Sequence, residues 1–234
     1  MNDIEKVLDR KLEDLFNGWL KDLETKTFLT CFSEHRDSED VLGRLSMWRA
    51  YGGSNGIALV FKNGPFLNPT DALKAYSSPV AYLSQAGFQD IFSDTVDGLL
   101  AETNFIKSLG SQALLDGLFS EFKFAVLCTK HPGFHEEREW RIIHSPDFES
   151  SSHIKMDIEV VRGVPQQVCK IPLNNIPDEG FDGVDIPSLL DRIIIGPTDN
   201  QLPMLHAFRT ILADCGIDDP DSKIFVSSIP LRHG

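Results

Sequence analysis

The stretch R-I-I-I-G at residues 192–196 is a short apolar run that ends at a Gly-Pro turn. A run of this length and composition predicts a buried β-strand. Residues 202–215 follow with apolar positions at helical spacing, and K-I-F-V-S-S at residues 223–228 is again strand-like. Strand, helix and strand in this order predict a β-α-β unit close to the C-terminal end of the sequence.

The rest of the chain mixes short strands with helices and shows no strict alternation of the two. Apolar residues at three-and-four spacing predict an amphipathic helix over residues 1–23, and Ser38 is a candidate N-cap for a helix that runs to Tyr51. Further helices are predicted at residues 86–105 and 108–124, and strands at residues 27–33, 57–61, 80–83, 140–144, 154–161 and 168–171.

These elements predict the α+β class: short-stranded sheets with flanking helices in a single mixed domain over residues 1–234. Within that domain we distinguish an N-terminal helix (1–26), a core that contains the candidate site (27–145), and the C-terminal strands and helix (146–234).

The charge of the chain is strongly acidic, with 35 Asp and Glu against 22 Lys and Arg and a formal net charge of −13. Sequence-independent nucleic-acid binding depends on Lys and Arg that neutralise phosphates, so no general nucleic-acid affinity is expected. No apolar run approaches the roughly 18 residues that a membrane span needs, so no membrane association is expected. The first residues carry no basic-then-apolar leader pattern, which predicts a cytoplasmic protein.

Two clusters in the first quarter of the chain carry polar or aromatic groups where a binding site could form. The strand F-L-T-C-F-S-E ends in Ser33 and Glu34, a hydroxyl and a carboxylate at the end of an apolar strand. The segment M-W-R-A-Y brings Trp48 and Tyr51 to the end of a predicted helix beside a glycine-rich loop, where aromatic rings could stack on a planar ligand. The alternative for both is structural: a strand end that meets solvent, and a core Trp48.

A third cluster, F-H-E-E-R-E-W-R at residues 134–141, contains two glutamates separated by one residue. If Glu137 already has strand geometry, Glu137 and Glu139 point to the same face, where they raise each other's pKa unless a cation or ligand compensates. Such a pair can stabilise positive charge. The alternative is a solvated strand entrance with Arg138 and Arg141 as ion-pair partners.

Other chemistries have weaker local support in the sequence. His131 and His135 flank a Pro-Gly turn, which breaks the helix that would bring them together on one face, so no metal site is predicted. A nucleophilic Cys31 or Cys128 with a distant histidine remains open. The glycines at residues 52–56 match neither common phosphate-binding loop.

Together these clusters resemble the bacterial domain-of-unknown-function family 2971. Its pattern C-F-S-E, M-W-x-x-Y, K-x-x-x-F-x-x-E-x-E-x-R and I-x-G-P is matched between about residues 27 and 228. The matching residues include Lys130, Phe134, Glu137, Glu139 and Arg141. The family is distantly similar to ADP-ribosyltransferases, including toxins and bacterial defence effectors.

The resemblance implies an ADP-ribosyltransferase-like core with NAD as the substrate. It implies that Glu139 is the catalytic acid and Glu137 the first acid of the E-x-E pair. It also implies that Ser33, Trp48, Tyr51 and Arg141 contact the dinucleotide, with Tyr51 stacked on nicotinamide. The acceptor is a protein, a nucleic acid or water, and an antitoxin or other protein partner is compatible with this class.

Two further functions stay open at this stage. One is a non-catalytic module that keeps the architecture and binds a protein or nucleotide, and the other is a metal- or Cys-dependent hydrolase. Nicotinamide release on incubation with NAD separates the first hypothesis from these two.

Overall fold

The computed structural model describes residues 3–67, 70–102, 105 and 108–230. It confirms a mixed α+β chain with several small sheets. The chain divides into two compact units: unit 1 is formed by Met1–Phe32 and Ala75–Ser150, and unit 2 by Ser33–Lys74 and Ser151–Gly234. The predicted single domain and the ADP-ribosyltransferase-like core stay predictions.

The α-helices of the described residues are, in chain order, α1 (Asp3–Lys26), α2 (Leu45–Met47), α3 (Gly64–Leu67), α4 (Gln85–Ala101), α5 (Ser111–Leu127), α6 (Ile186–Leu189) and α7 (Gln201–Asp214). The strands are β1 (Phe28–Ser33), β2 (Ile57–Phe61), β3 (Ala75–Pro79), β4 (Ala81–Tyr82), β5 (Thr129–Lys130), β6 (Glu139–His144), β7 (Lys155–Val161), β8 (Val164–Lys170), β9 (Leu190–Ile195) and β10 (Ile224–Val226). The 3₁₀ segments are Asp37–Glu39, Pro132–Glu137, Pro177–Glu179 and Pro220–Lys223.

Unit 1 is built around the packing of α1 against α5. Trp19 on α1 and Phe119 on α5 meet edge to face, with ring centroids 6.2 Å apart, and both rings are buried. Leu127, Cys128 and the β6 residue Ile143 complete this core. The amphipathic pattern of the first residues therefore predicts α1 correctly, although Met1, Asn2 and the side chains of residues 3–9 lie outside the described part.

The sheet of unit 1 has the strand order β1-β6-β3, with β3 antiparallel to β6. Strands β4 and β5 form a separate parallel pair. The sequence does not predict β3, because A-Y-S-S-P lacks the β-branched residues that mark strands. It forms because it adds to the apolar strand β6, and Pro79 lies at its end on the edge of the sheet, where a missing N–H is tolerated.

Unit 2 contains the sheet β10-β9-β2. Strand β10 is parallel to β9, with α7 between them along the chain, which confirms the predicted β-α-β unit. Strand β2 is antiparallel to β9 on the other side. The central strand β9 supplies the core, because Ile193, Ile194 and Ile195 are all buried.

Three sequence predictions differ from the observed elements. The predicted helix from Ser38 to Tyr51 is wrong: the chain forms a 3₁₀ turn, then α2, then a π-helical turn over Trp48–Gly52. Gly43, with φ +68°, ends the first turn in a left-handed conformation that no α-helix contains. Within the helix predicted over residues 86–105, α4 ends at Ala101; Phe105 is again helical, and residues 103 and 104 lie outside the described ones. Strand β8 is longer than predicted and pairs with β7 in a hairpin.

Among the described residues, no helix is both long enough and apolar enough to cross a membrane.

Candidate functional site

The two glutamates of the third cluster lie where a 3₁₀ turn joins strand β6. Glu137 is the last residue of the turn, Arg138 has a left-handed backbone with φ +46°, and Glu139 is the first residue of β6. The assumption that Glu137 has strand geometry is therefore wrong. The two carboxylates are instead brought together by a shared partner.

That partner is Lys130, from strand β5. Its Nζ donates to Oε2 of Glu139 at 3.1 Å and also contacts the Glu137 carboxylate. The lysine is positioned by the β4–β5 pair, in which the Leu83 amide donates to the Lys130 carbonyl at 3.0 Å. One ammonium group thus joins both members of the E-x-E pair, which supplies the compensating cation that two neighbouring carboxylates need.

Arg141, two residues further along β6, holds the other side of Glu139. Its Nε donates to Oε1 at 2.8 Å, a second guanidinium nitrogen lies 3.4 Å from Oε2, and the group also donates to the Leu127 carbonyl. Arg141 is thus an ion-pair partner of Glu139, as in the structural alternative for this cluster, although Glu139 is buried and not solvated. That Arg141 contacts a dinucleotide stays a prediction. The Glu139 backbone amide donates to the hydroxyl of Tyr82 at 2.8 Å, which fixes the start of the strand.

Glu139 is 6% exposed and ionised at neutral pH. Burial by itself raises the pKa of this carboxyl, but hydrogen bonds from Arg141, Cys31 and Lys130 outweigh burial and lower the pKa to about 2. The reverse effect acts on Cys31 in β1, where desolvation and the hydrogen bond to Glu139 raise the pKa of the thiol to about 11. Cys31 is therefore a protonated donor to Glu139, which is the opposite of an activated nucleophile.

Phe134 lies beside the same lysine. Lys130 Nζ is 4.9 Å from the centroid of the Phe134 ring, and the phenylalanine is 50% exposed. The ring belongs to the turn Pro132–Glu137, whose N-cap His131 accepts a hydrogen bond from the Gly133 amide. Lys130, Phe134, Glu137, Glu139 and Arg141 therefore form one contact cluster in unit 1, which we call the acid cluster.

The first two sequence clusters lie in unit 2, apart from the strand residues that lead to Ser33. The Ser33 hydroxyl accepts a hydrogen bond from Arg44 at 3.0 Å. The same guanidinium donates to both carboxylate oxygens of Glu39, at 2.9 Å and 3.2 Å. The sequence does not predict a role for Arg44, whose local signal is its position three residues before Met47.

Trp48 is 5% exposed and is surrounded by backbone. Its indole N–H donates to the Leu42 carbonyl at 2.9 Å. Added Cβ atoms at Gly43 and Gly196 would lie 2.6 Å and 2.9 Å from its ring, so both glycines are needed for the close approach. These are the contacts of a core residue, while Tyr51, three residues later, is 61% exposed.

The structure therefore groups Glu137, Glu139 and Arg141 in unit 1, and Ser33, Trp48 and Tyr51 in unit 2. It stays a prediction that the unit 1 residues and the unit 2 residues line one NAD pocket. Lys130 and Phe134 belong to the family pattern, which implies no role for them; their spacing before the E-x-E pair is the signal that points to them.

The histidines of the turn have local roles. His131 caps the turn, and the His135 ring lies 3.0 Å from the Pro132 carbonyl. Within the described ranges, no group of three or more His, Cys, Asp or Glu side chains could hold a metal ion.

Comparison with known families gives one match. Residues 47–142 match the family model described as "Protein of unknown function (DUF2971)". The match includes the M-W-x-x-Y segment and the acid cluster, while C-F-S-E and I-I-G-P lie outside it. No curated protein and no solved structure matches the chain. This chain therefore carries a DUF2971 family domain over residues 47–142.

Proposed function

We propose that the protein is an NAD-consuming, ADP-ribosyltransferase-like protein of a bacterial toxin or phage-defence type, and that Glu139 is its catalytic carboxylate. The observation that carries the proposal is the state of Glu139: a buried carboxylate, ionised at neutral pH, that shares Lys130 with Glu137. Buried ionised groups with perturbed pKa values are enriched at functional sites.

The reaction needs a fixed negative charge. When the bond between C1′ of the ribose and the nicotinamide nitrogen breaks, its electron pair leaves with nicotinamide, and C1′ takes on the character of an oxocarbenium ion, as in glycoside hydrolysis. The ionised Glu139 stabilises that positive charge electrostatically. Glu137 orients the acceptor, whose lone pair forms the new bond to C1′ and whose proton passes to solvent.

The cations of the acid cluster keep the carboxylate in place. Arg141 binds both oxygens of Glu139, and Lys130 binds one of them and Glu137 as well. Paired hydrogen bonds of this kind fix orientation as well as charge. The carboxylate therefore has little freedom to reorganise during the reaction, which is the condition under which fixed charges stabilise a transition state most effectively.

A second candidate, a non-catalytic module that binds a protein or nucleotide, is favoured by the same contacts. Both oxygens of Glu139 already accept hydrogen bonds from cations within unit 1. A carboxylate used in this way can be purely structural, because it pairs with a partly buried lysine and arginine. The two candidates differ in one measurable respect, which is whether nicotinamide is released.

The experiment incubates the purified chain with NAD and measures free nicotinamide by chromatography, for the native protein and for Glu139→Gln. Glu121→Gln is the matched control, because Glu121 is an exposed glutamate of α5 in the same unit. We expect release by the native protein and by Glu121→Gln, and a loss of at least about 100-fold for Glu139→Gln. Circular dichroism and thermal melts establish that each variant is folded.

If the native protein releases no nicotinamide with a protein, a nucleic acid or water as the acceptor, the result favours the binding module. Full activity in a folded Glu139→Gln variant excludes the catalytic role of that carboxylate. For the toxin or defence type, the expected outcome is that expression arrests bacterial growth and that Glu139→Gln relieves the arrest.

A further inference from the structure

The β7–β8 hairpin of unit 2 is largely exposed to solvent. Every residue of β7 is exposed, and Ile158 and Val160 keep 68% and 67% of their surface in water. The two strands pair with each other from Lys155 and Lys170 to Val161 and Val164, and within the described residues no third strand joins them. A two-stranded hairpin is at best marginally stable in water, because it lacks a core. A surface that covers this hairpin would therefore stabilise it.

The two faces of the hairpin differ in charge. Cross-strand partners of an antiparallel pair lie on the same face, and so does every second residue along a strand. One face, which we call the apolar face, consists of Met156, Ile158, Val160, Pro165, Gln167 and Cys169. The charged side chains of both strands lie on the opposite face, where Lys170 pairs with Asp157 at 2.7 Å and also with Glu159. The apolar face therefore carries no charge.

The edges of the hairpin are protected against pairing with a further strand. On β7, the Ile158 amide donates to the Asp157 carboxylate at 2.8 Å, so this amide already has a partner. On β8, Pro165 has no amide N–H to donate. Charged side chains and prolines are common means by which proteins protect sheet edges. A partner is therefore expected on the apolar face and not along an edge.

The charge of the molecule indicates which partner fits the apolar face. The chain has a formal net charge of −13, so two copies repel each other wherever their acids face one another. The apolar face avoids this repulsion, because the acids behind it are paired with Lys170. A face without charge offers nothing that attracts a basic or an acidic partner. It is complementary to a copy of itself, since the apolar side chains of each copy cover those of the other.

We propose that the apolar face is a self-association surface, on which two copies of the chain pack their β7–β8 hairpins face to face about a two-fold axis. Sheets in such a contact lie about 10 Å apart and interdigitate their side chains. The contact is isologous, so each copy buries Ile158 and Val160 against the same face of the other copy. The inference does not depend on the proposed function, because the hairpin contains no residue of the acid cluster.

The size of the apolar face sets the expected affinity. Seven residues of a strand extend over about 20–24 Å, and two strands form a ribbon about 10 Å wide. This face is smaller than the roughly 800 Å² that each partner buries in a standard protein–protein interface. Small interfaces of this kind belong to weak and transient complexes. We therefore expect a reversible dimer with a dissociation constant of about 0.1 mM.

The hairpin provides a matched pair of valines for the test. Val160 lies on the apolar face and is 67% exposed, whereas Val164 lies on the opposite face and is 60% exposed. Both belong to the same end of the hairpin, so a lysine at either position is expected to affect the fold of a single copy to a similar extent. Val160→Lys and Val164→Lys therefore differ chiefly in the face that receives the charge.

The first experiment is sedimentation velocity of the full chain, with a reductant present, at concentrations from about 10 µM to about 1 mM. We expect the native protein and Val164→Lys to show the same rise in mass toward a dimer as the concentration increases. The dissociation constant of Val160→Lys should be at least about tenfold higher, because its ammonium group would lose water between the two faces. Circular dichroism establishes that each variant is folded.

Cys169 provides a second readout on the apolar face itself. Its sulfur lies 3.1 Å from the Met156 sulfur, whereas Cys215 is an exposed thiol elsewhere in unit 2. Peptide mass spectrometry measures the rate at which N-ethylmaleimide labels each thiol. We expect labelling of Cys169 to slow as the protein concentration rises, and labelling of Cys215 to stay constant. In Val160→Lys, the labelling rate of Cys169 should not depend on protein concentration.

Each outcome either supports or overturns the inference. A dimer that is lost in Val160→Lys alone, together with concentration-dependent protection of Cys169 in the native protein, supports it. A native protein that is monomeric at every concentration, a dimer that survives Val160→Lys, or an equal loss in both variants overturns it. Added salt should strengthen the dimer, because salt screens the repulsion between two acidic chains. A dimer that salt weakens has an ionic interface, which also overturns the inference.

Discussion

Trp48 in unit 2 and Glu139 in unit 1 are almost equally buried, but their surroundings differ in kind. Trp48 is enclosed by Gly43 and Gly196 and by the Leu42 carbonyl. Glu139 is enclosed by the charged ends of Lys130 and Arg141. Both residues come from motifs in which the sequence suggested a ligand site, so the motif alone does not separate the two roles.

The difference shows that a chemical role has to be judged from neighbours and not from burial. The Trp48 contacts are van der Waals contacts with backbone and one hydrogen bond, which are contributions to stability. The Glu139 contacts are ion pairs with Lys130 and Arg141, which fix a charged group beside an exposed aromatic ring. We therefore expect substitutions near Trp48 to change only the free energy of unfolding, and substitutions in the acid cluster to change ligand binding or activity as well.

The largest expected effect on stability is that of Trp48→Ala. Removing a buried tryptophan from a close-packed environment costs about 3–5 kcal/mol of unfolding free energy. Urea denaturation followed by circular dichroism measures it. A loss below about 1 kcal/mol would show that Trp48 is not a core residue and would weaken the contrast with Glu139.

Glu139→Gln is expected to lower stability by about 3 kcal/mol at neutral pH, since the pKa falls from an ordinary value of 4.5 to about 2. The pKa is depressed in the folded state, so the ionised carboxylate contributes fully above pH 4.5. This contribution is lost as the pH falls toward 2. The stability difference between native protein and variant should therefore shrink between pH 5 and about 2.5; a constant difference contradicts the ion-pair origin.

Gly196→Ala is expected to destabilise the protein by about 2 kcal/mol, because its Cβ would meet the Gly56 carbonyl oxygen and the Trp48 ring, each at 2.9 Å. The control is Gly98→Ala within α4, where an added Cβ meets no other atom within 4 Å and a helical alanine adds about 0.5–1 kcal/mol. A lower melting temperature for Gly196→Ala together with a higher one for Gly98→Ala supports the close packing of Trp48. A change in the same direction for both variants contradicts it.

The smallest effect on stability is expected for Tyr51→Ala. An exposed side chain contributes little, so the unfolding free energy should change by less than about 0.5 kcal/mol. If Tyr51 stacks on nicotinamide as predicted, the affinity of Tyr51→Ala for NAD is lower than that of the native protein. Unchanged NAD affinity in Tyr51→Ala would contradict that stacking.

The sequence predicts well the elements whose own residues carry the strand or helix pattern. Strands β2 and β9 are short apolar runs, and α1 and α7 show helical periodicity over several turns. Strand β3 is not predicted, because its residues have no strand signal of their own and it forms by pairing with β6. The turn at Trp48 is not predicted, because a helical pattern does not reveal that the indole needs a left-handed Gly43 just before it and a close approach from Gly196, far along the chain.

The candidate site divides in the same way. The E-x-E pair is a candidate from its spacing, and Arg141 joins it through the family pattern. The role of Lys130 could not, because it depends on the β4–β5 pair, which brings a lysine nine residues upstream to the carboxylate of Glu139. The pKa of Glu139 also depends on this arrangement. It is low only because two cations and a thiol donate hydrogen bonds to the carboxylate.

The amino-acid sequence by itself determined the α+β class, the C-terminal β-α-β unit, the acidic character and the candidate glutamates, because these follow from residue types and periodicity along the chain. Only the tertiary structure decided that Trp48 is a core residue, that Glu139 is buried and ionised, and that Phe134 lies exposed beside it. The physical reason is that burial, ion pairing and pKa depend on neighbours in space, and strand pairing selects those neighbours from separate parts of the chain.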